Sequence, residues 1–210
     1  VVILAAGAWG EDVDYSSFRK NYVPQGFDDP AAEFDAALNR SEAEWQRDLD
    51  LGDQMDAPTR KQHRIGNDPR QMERLGKILD RIIAVSHRPG IRIELVIIED
   101  PTVNGFTYSG HYIYLFRGLL QAMTDEELSM TLAHEFSHIL CAPGPRRIRV
   151  SAFLPKLRGL EAGEAGMITR MYSRITEQEA DYLAVYYLWK AGFETSPAAS
   201  QFEKFSKIQE

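Results

Sequence analysis

The sequence predicts a mainly helical α+β domain with a small β-sheet or hairpin beside one central helix. Three observations support this fold class. Apolar residues recur at helical spacing in several long segments, two of which follow capping residues. Two short runs rich in β-branched and aromatic residues lie between these segments. The pentapeptide His-Glu-Phe-Ser-His lies within one of the helical segments, at residues 134–138.

The N-terminal part, residues 1–67, is predicted to be an extension that ends in a helical wrapper. Residues 68–210 are predicted to form the core, and the two parts together are expected to make one compact domain. Asp29-Pro30 is typical of a cap followed by a proline at the first helical position, so a helix is expected from there to Gly52. Asp53 to Asn67 is polar and is expected to be a loop.

A second helix is predicted to begin at Asp68-Pro69 and to end near Pro89-Gly90. Its apolar stripe consists of Met72, Leu75, Leu79, Ile82 and Ile83. Residues 91–98 then favour a buried strand. Residues 104–110 are predicted to make a turn, after which residues 111–116 return as the second strand of a hairpin.

The central helix is predicted to start at Thr124, which can form a capping box with Glu127. Asp125 and Glu126 favour the positive end of the helix dipole. The apolar residues at helical spacing are Leu128, Leu132, Phe136, Ile139 and Leu140. Pro143-Gly144 is expected to end this helix.

His134 and His138 are four residues apart, so on a helix they lie one above the other and can bind one metal ion. Glu135 is rotated to one side, where it can act as a base. This combination suits zinc-dependent hydrolysis. A catalytic zinc site needs a third protein ligand from elsewhere and an open position for water.

The candidate third ligand is Glu177, in a further helix predicted from Ser173 to Gly192. Asp181 shares its face, four residues on, and is predicted to orient a ligating imidazole. Glu179 is turned roughly 200° away, so it cannot face the same ion. The glycine-rich stretch 159–166 is expected to be a connector or lid, and it holds the alternative ligands Glu161 and Glu164.

With these motifs, the sequence resembles the HtpX and CAAX prenyl protease group of gluzincin metallopeptidases. The hallmark of that group is a His-Glu-x-x-His helix followed by a Glu-x-x-x-Asp helix. The resemblance also covers Val103-Asn104-Gly105-Phe106 through Gly110, Tyr112-Ile113-Tyr114 and Gly118-Leu119-Leu120. It spans about residues 68–195, and the three motifs occur in the family's order.

The resemblance implies a zincin-like metallopeptidase domain with one zinc ion per chain. It implies the ligands His134, His138 and Glu177, the general base Glu135 and the orienting carboxylate Asp181. The expected substrate is a protein or peptide. Because gluzincins present an edge strand to extended substrate, His111, Tyr112, Ile113 and Tyr114 are candidate substrate contacts, with packing as the alternative role.

The chain departs from the family pattern at three places. Gly105 and His111 replace the commoner Ala and Gly, and Cys-Ala-Pro-Gly-Pro follows His138 where a further histidine is often found. The segment between the two metal motifs has no run near the roughly 20 apolar residues needed to span a bilayer. The lone Cys141 is interpreted as a small buried filler.

The candidates for stabilising the oxyanion are Arg174, Tyr172 and His111, in that order. The predicted function is that of a zinc-dependent endopeptidase acting on extended or unfolded protein segments. Two alternatives share the same ligands: a zinc-stabilised, chaperone-like binding protein with a closed four-ligand site, and another zinc hydrolase such as an amidase.

The net charge of −7 argues against nucleic acid as a partner. No transmembrane span is expected, and composition leaves the oligomeric state open. Val1 to Trp9 is apolar and suits either the tail of an export signal or a packed strand. The family resemblance favours a periplasmic or envelope location, with the cytoplasm as the alternative.

Overall fold

The computed structural model describes residues 36–108, 110–141 and 162–194, with side chains from Thr176 onward in the last range. The chain is mainly helical and carries one three-stranded sheet, so the predicted fold class is confirmed. The helices are α1 (Glu42–Gln62), α2 (Pro69–Ala84), α3 (Arg117–Ala122), α4 (Asp125–Cys141) and α5 (Ala162–Lys190). The strands are β1 (Glu94–Ile98), β2 (Gly105–Phe106) and β3 (Tyr112–Phe116). None of the helices described combines the length and apolar composition needed to cross a membrane.

Helix α1 differs from the prediction. It starts at a capping box in which Ser41 and Glu44 exchange hydrogen bonds, and it continues past Gly52 for ten more residues. The loop expected at Asp53–Asn67 is therefore helical up to Gln62. The predicted start at Asp29-Pro30 lies outside the described residues.

Tertiary contacts explain why this polar segment is helical. Asp53 accepts a hydrogen bond of 2.9 Å from the Tyr112 hydroxyl, and Asp56 accepts one of 3.0 Å from the Tyr114 hydroxyl. Both aspartates lie on α1, and both tyrosines lie on β3. The second half of α1 is thus attached to the sheet by side chains that a sequence pattern classes as solvated.

Strand β3 occupies the centre of the sheet, in the order β1-β3-β2. It runs parallel to β1, with Glu94 opposite Tyr112, and antiparallel to β2, with Gly105 opposite Leu115. The predicted hairpin between the first strand and β3 is therefore wrong. After β1, the chain crosses the sheet beside the C-terminal end of β3 and forms β2 on the other side of β3. It then returns, so that β3 begins at the same end of the sheet as β1.

That crossing is held by close backbone contact. The N–H of Gly118 donates to Asp100 O over 3.0 Å, and the N–H of Phe116 donates to Asn104 O over 3.0 Å. A Cβ atom at Gly118 would lie 1.9 Å from the carbonyl oxygen of Pro101. Residue 118 must therefore be glycine for the loop to pass here.

Helix α2 begins as predicted, because the side chain of Asp68 accepts a hydrogen bond from the N–H of Gln71. It ends at Ala84, five residues before Pro89. Just beyond this end, the Ser86 hydroxyl donates a hydrogen bond to the carbonyl oxygen of Ile83, in place of a further turn of helix. The predicted stripe is mostly buried in the core. The buried residues of α2 are Leu75, Ile78, Leu79, Ile82 and Ile83.

Helix α4 lies in the middle of the molecule. The N–H of Thr124 donates to the Glu127 side chain over 2.9 Å, and the N–H of Glu127 donates back to the Thr124 hydroxyl over 3.3 Å, so the predicted capping box is confirmed. From Glu127 to Cys141 every residue except His134 is buried. Helix α4 is thus covered on nearly all sides, with α5 packed along it.

Helix α5 is longer than expected. It starts at Ala162, so Gly163 and Gly166 lie inside a helix, although a connector or lid was predicted there. A glycine inside a helix costs only about 1 kcal/mol relative to alanine, which a helix of this length can absorb. Gly192, with φ of +72°, lies just beyond its C-terminal end.

Candidate active site

The two metal motifs meet where α4 and α5 pack together. His134 and His138 lie one turn apart on α4, and their Nε2 atoms are 3.0 Å apart. Glu177 on α5 places one carboxylate oxygen 3.4 Å from His134 Nε2 and the other 3.5 Å from His138 Nε2. Three potential donor atoms from two helices thus converge on one point.

These distances fit a metal ion. Ligand atoms held about 2.0–2.1 Å from a tetrahedral zinc ion lie about 3.3–3.4 Å from one another. The Nε2–Nε2 separation, and the distance from each Nε2 atom to its nearer Glu177 oxygen, fall within a few tenths of an ångström of that spacing. Among the described residues, no fourth histidine, cysteine or carboxylate joins this group. The arrangement therefore corresponds to a three-ligand site.

Asp181 orients one of the imidazoles. Its Oδ1 atom lies 2.9 Å from His134 Nδ1, one turn of α5 beyond Glu177. We assign the Nδ1–H tautomer to His134 from this contact, because a carboxylate accepts a hydrogen bond. In the neutral ring that binds a metal, the lone pair on Nε2 then points towards Glu177 and His138.

The electrostatics of the site favour positive charge. Burial opposes protonation of His134, but hydrogen bonds to Asp181 and Glu177, together with the charge of Glu135, outweigh it and raise the pKa of His134 to about 10. Hydrogen bonds to His134 and His138 hold the pKa of Glu177 far below its ordinary value of 4.5. Three carboxylates around two imidazoles give the site a negative charge that a divalent cation can neutralise.

A comparison with known families agrees with this geometry. A model of peptidase family M48 matches residues 69–206, about two thirds of the chain. The chain belongs to peptidase family M48. The prediction of a metallopeptidase family from the two helical motifs is thereby confirmed, and the family and the donor cluster together indicate a metal ion.

Several curated proteins resemble this M48 chain. The mitochondrial metalloendopeptidase OMA1 of Schizosaccharomyces pombe is 29% identical over 148 residues, covering 64% of this chain and 44% of the relative. A putative beta-barrel assembly-enhancing protease of Vibrio cholerae is 25% identical over 183 residues, covering 76% and 38%. The metalloprotease LoiP of Escherichia coli is 27% identical over 124 residues, covering 51% and 49%. The M48 chain spans less than half of the length of each of these relatives.

Glu135 lies beside this cluster. Glu135 is 8% exposed, and its negative charge contributes to the raised pKa of His134. One turn earlier on α4, the methyl group of Thr131 is 3.5 Å from the position that a Cβ atom on Gly105 would take. Strand β2 therefore lies against the metal helix within one turn of Glu135.

The structure places the predicted substrate strand differently. Tyr112, Ile113 and Tyr114 belong to the central strand of the sheet and are buried, so an edge-strand role for them is wrong. Hydrogen bonding to α1 explains why tyrosines are accommodated there. His111 lies beside Asp53, with 3.6 Å between its Nε2 atom and the carboxylate, on the wall of a cavity of about 600 Å³ that Trp45 and His87 also line.

Other candidates lie outside the cluster or outside the described side chains. Arg174, Tyr172 and Glu164 are in α5, but their side chains are not among those described, and Glu161 lies outside the described residues. Glu179 is 2% exposed and, as the helical angle predicts, does not belong to the donor group. Cys141 is buried at the last residue of α4.

Two features of the M48 chain were not predicted from its sequence. Gly105 was interpreted as part of a turn, although it forms the edge strand beside α4. The resemblance of Val103-Asn104-Gly105-Phe106 to the family was the signal that pointed to it. Arg40, which contacts the end of α4, carried no signal at all, because it lies in a polar stretch about 100 residues from its partners.

Proposed function

We propose that this chain is a zinc-dependent endopeptidase that hydrolyses peptide bonds in extended or unfolded segments of protein substrates. One observation supports this proposal above all. His134, His138 and Glu177 each offer one ligand atom within 4.8 Å of the other two, as a three-ligand metal site requires, and Glu135 lies next to them on α4. Such a site leaves one position open for water, as catalytic zinc sites do.

The donor set supports zinc in particular. Two imidazoles and one carboxylate suit Zn²⁺, whereas Mg²⁺ and Ca²⁺ prefer oxygen ligands. When bound, zinc lowers the pKa of a coordinated water towards neutrality and polarises a carbonyl group. Asp181 keeps Nε2 of His134 available by accepting a hydrogen bond from the Nδ1–H group.

Glu135 is the proposed general base. Its carboxylate accepts a proton from the attacking water and then donates that proton to the nitrogen of the leaving amine. Burial keeps this carboxylate away from bulk solvent, so the proton is passed on within the site. The residue that stabilises the oxyanion remains a prediction, with Arg174 as the first candidate.

The proposed substrate-binding element is β2. In its antiparallel pair with β3, Asn104 O accepts from the N–H of Phe116, so the alternate residue Gly105 directs its backbone N–H and C=O away from β3. The N–H of Gly105 donates to Asn104 Oδ1 over 2.9 Å, and its C=O is the group proposed to accept from a peptide. These groups lie at the edge of the sheet, next to α4. An extended peptide can pair with such an edge through backbone hydrogen bonds, with little demand on its side chains.

The test compares wild type with Glu135→Gln. We expect the variant to retain its metal but to cleave casein about 10²–10⁴-fold more slowly, because the general base is lost. Glu126→Gln is the matched control, since Glu126 is an exposed glutamate in the first turn of the same helix. Metal content is measured by elemental analysis and cleavage by the release of labelled fragments.

Three outcomes would contradict the proposal. Retained metal with unchanged cleavage in Glu135→Gln would exclude the mechanism. A wild-type protein that binds zinc and casein without cutting it would support the chaperone-like alternative. Cleavage restored to chelated protein by Mg²⁺ but not by Zn²⁺ would show that the assigned metal is wrong.

A further inference from the structure

Arg40 contacts the end of the metal helix from a distant part of the chain. Its Nη1 atom donates to Leu140 O over 2.8 Å, and its Nη2 atom donates to Ile139 O over 3.1 Å. Both carbonyls belong to the last turn of α4, directly after His138. The side chain of Arg40 is only 7% exposed, so these hydrogen bonds are shielded from water.

This contact satisfies a general need of helices. The last four carbonyl groups of a helix have no donor within the helix itself. A positive charge near them also interacts favourably with the negative end of the helix dipole. The planar guanidinium has several donors in a fixed arrangement, which lets Arg40 hold two neighbouring carbonyls at once.

Arg40 is itself held in place by α1. Its Nε atom lies 3.1 Å from the buried carboxylate of Asp48, and its guanidinium lies 4.4 Å from the centre of the Trp45 ring. A third hydrogen bond joins it to Ala37 O. Burial lowers the pKa of Arg40, and the charge of Asp48 is the main opposing influence. The guanidinium therefore has one defined position.

The two imidazoles differ in how they are oriented. The Nδ1 atom of His134 contacts Asp181, whereas the Nδ1 atom of His138 is buried and has no hydrogen-bond partner among the described residues. Within the described part of the chain, no carboxylate contacts Nδ1 of His138 as Asp181 contacts Nδ1 of His134. The position of the His138 ring therefore depends on the backbone of its own turn, which is the turn that Arg40 holds.

We propose that Arg40 is a positioning residue for the metal site, which fixes the last turn of α4 and thereby aligns His138 Nε2 with His134 and Glu177. This role rests on the proposed metal site. It also means that α1, which holds Arg40 in place, contributes to the alignment of the ligand atoms. Asp181 orients His134 by a hydrogen bond to its ring, whereas Arg40 orients His138 through hydrogen bonds to the backbone of the same helical turn.

Arg88 offers a matched control. Its guanidinium also lies 4.4 Å from the centre of the Trp45 ring. Its side chain is 26% exposed, however, and it bonds to the exposed Glu42 at 2.7 and 2.8 Å. Removal of Arg88 thus takes away the same type of side chain from the same aromatic ring, without touching α4.

The experiment measures the zinc dissociation constant by competition with a chromophoric chelator, together with the visible spectrum of the Co²⁺-substituted protein. For Arg40→Met we expect zinc affinity to fall about 10–100-fold, as for loss of a residue that orients a ligand, and the Co²⁺ bands to shift. Arg40→Lys should recover part of the affinity, because it keeps the charge but not the fork. Arg88→Met should match wild type in both measurements.

Unchanged zinc affinity and an unchanged Co²⁺ spectrum in Arg40→Met, with only a lower melting temperature, would overturn the proposal. If Arg40→Met does not fold, Arg40→Lys and Asp48→Asn decide in the same way, by a fall in affinity or by its absence. A wild-type protein that binds neither Zn²⁺ nor Co²⁺ would instead overturn the proposed function, and this proposal with it.

Discussion

The two ends of α4 are held in different ways. At the N-terminal end, Thr124 and Glu127 cap the helix with hydrogen bonds between neighbours in the sequence. At the C-terminal end, Arg40 reaches the last carbonyls from about 100 residues away. His134 and His138, the proposed ligands, both lie nearer the end that depends on distant residues. The comparison teaches that the helix starts by local chemistry, whereas its functional half depends on the folded chain.

The largest expected effect is on zinc affinity, and it follows from substitution of Glu177, which reaches the histidines of α4 from another helix. Glu177→Gln should weaken zinc binding by more than about 100-fold, since loss of a ligand should exceed the 10–100-fold typical of outer carboxylates. Competition with a chelator measures the affinity. Glu194→Gln, at an exposed position beyond α5, is the control and should behave as wild type. Equal affinities in the two variants would remove Glu177 from the site.

The dependence of stability on pH tests the same comparison, because the groups with strongly shifted pKa values, His134 and Glu177, lie at or against the C-terminal half of α4. The raised pKa of His134 stabilises the metal-free protein fully below about pH 6.5, and this contribution is lost as pH rises through about 10. The lowered pKa of Glu177 adds stability above about pH 4.5, which is lost at lower pH. Thermal unfolding in chelator should therefore show the highest melting temperature between about pH 4.5 and 6.5.

Asp181→Asn is the control for this profile, because it removes the first of the groups that raise the pKa of His134. We expect a flatter decline of the melting temperature towards pH 10 in this variant. Bound zinc should reverse the trend, since metal and proton compete for the same nitrogens. A metal-free wild type whose melting temperature rises with pH over this range would contradict the assignment.

The smallest expected effect belongs to the local end. Thr124→Ala should lower the free energy of unfolding by about 1 kcal/mol, as the loss of a helix cap commonly does. Zinc affinity should stay at the wild-type value, because the first turn of α4 holds no ligand. Urea unfolding measures the first quantity and chelator competition the second. Should zinc affinity fall as far as in Arg40→Met, the two ends would not differ as described.

The parts of the fold that the sequence predicts well are those determined by near neighbours. The starts of α2 and α4 follow from Asp68 and Thr124, whose side chains bond to backbone groups three residues away. Helical spacing predicts that His134 and His138 share one face of α4, whereas the resemblance to the family implied that Glu177, on another helix, joins them. Their roles as ligands, and that of Glu135 as base, stay predictions until metal and activity are measured.

The errors have a common physical cause, which is interaction over long sequence distance. The second half of α1 was expected to be a loop because its aspartates are polar, yet Asp53 and Asp56 bond to buried tyrosines of β3. The order of the strands was missed because backbone contacts at Gly118 decide it. Periodicity and turn residues carry no information about either contact.

Gly118 has a consequence for how the protein can change. The bulk of a single methyl group there would collide with the carbonyl of Pro101 and push the crossing loop outwards. That loop leads into β2, so the peptide-pairing edge would move relative to α4 while His134, His138 and Glu177 kept their places. We therefore expect Gly118→Ala to weaken the proposed pairing with a polypeptide while the proposed metal site keeps its affinity for zinc.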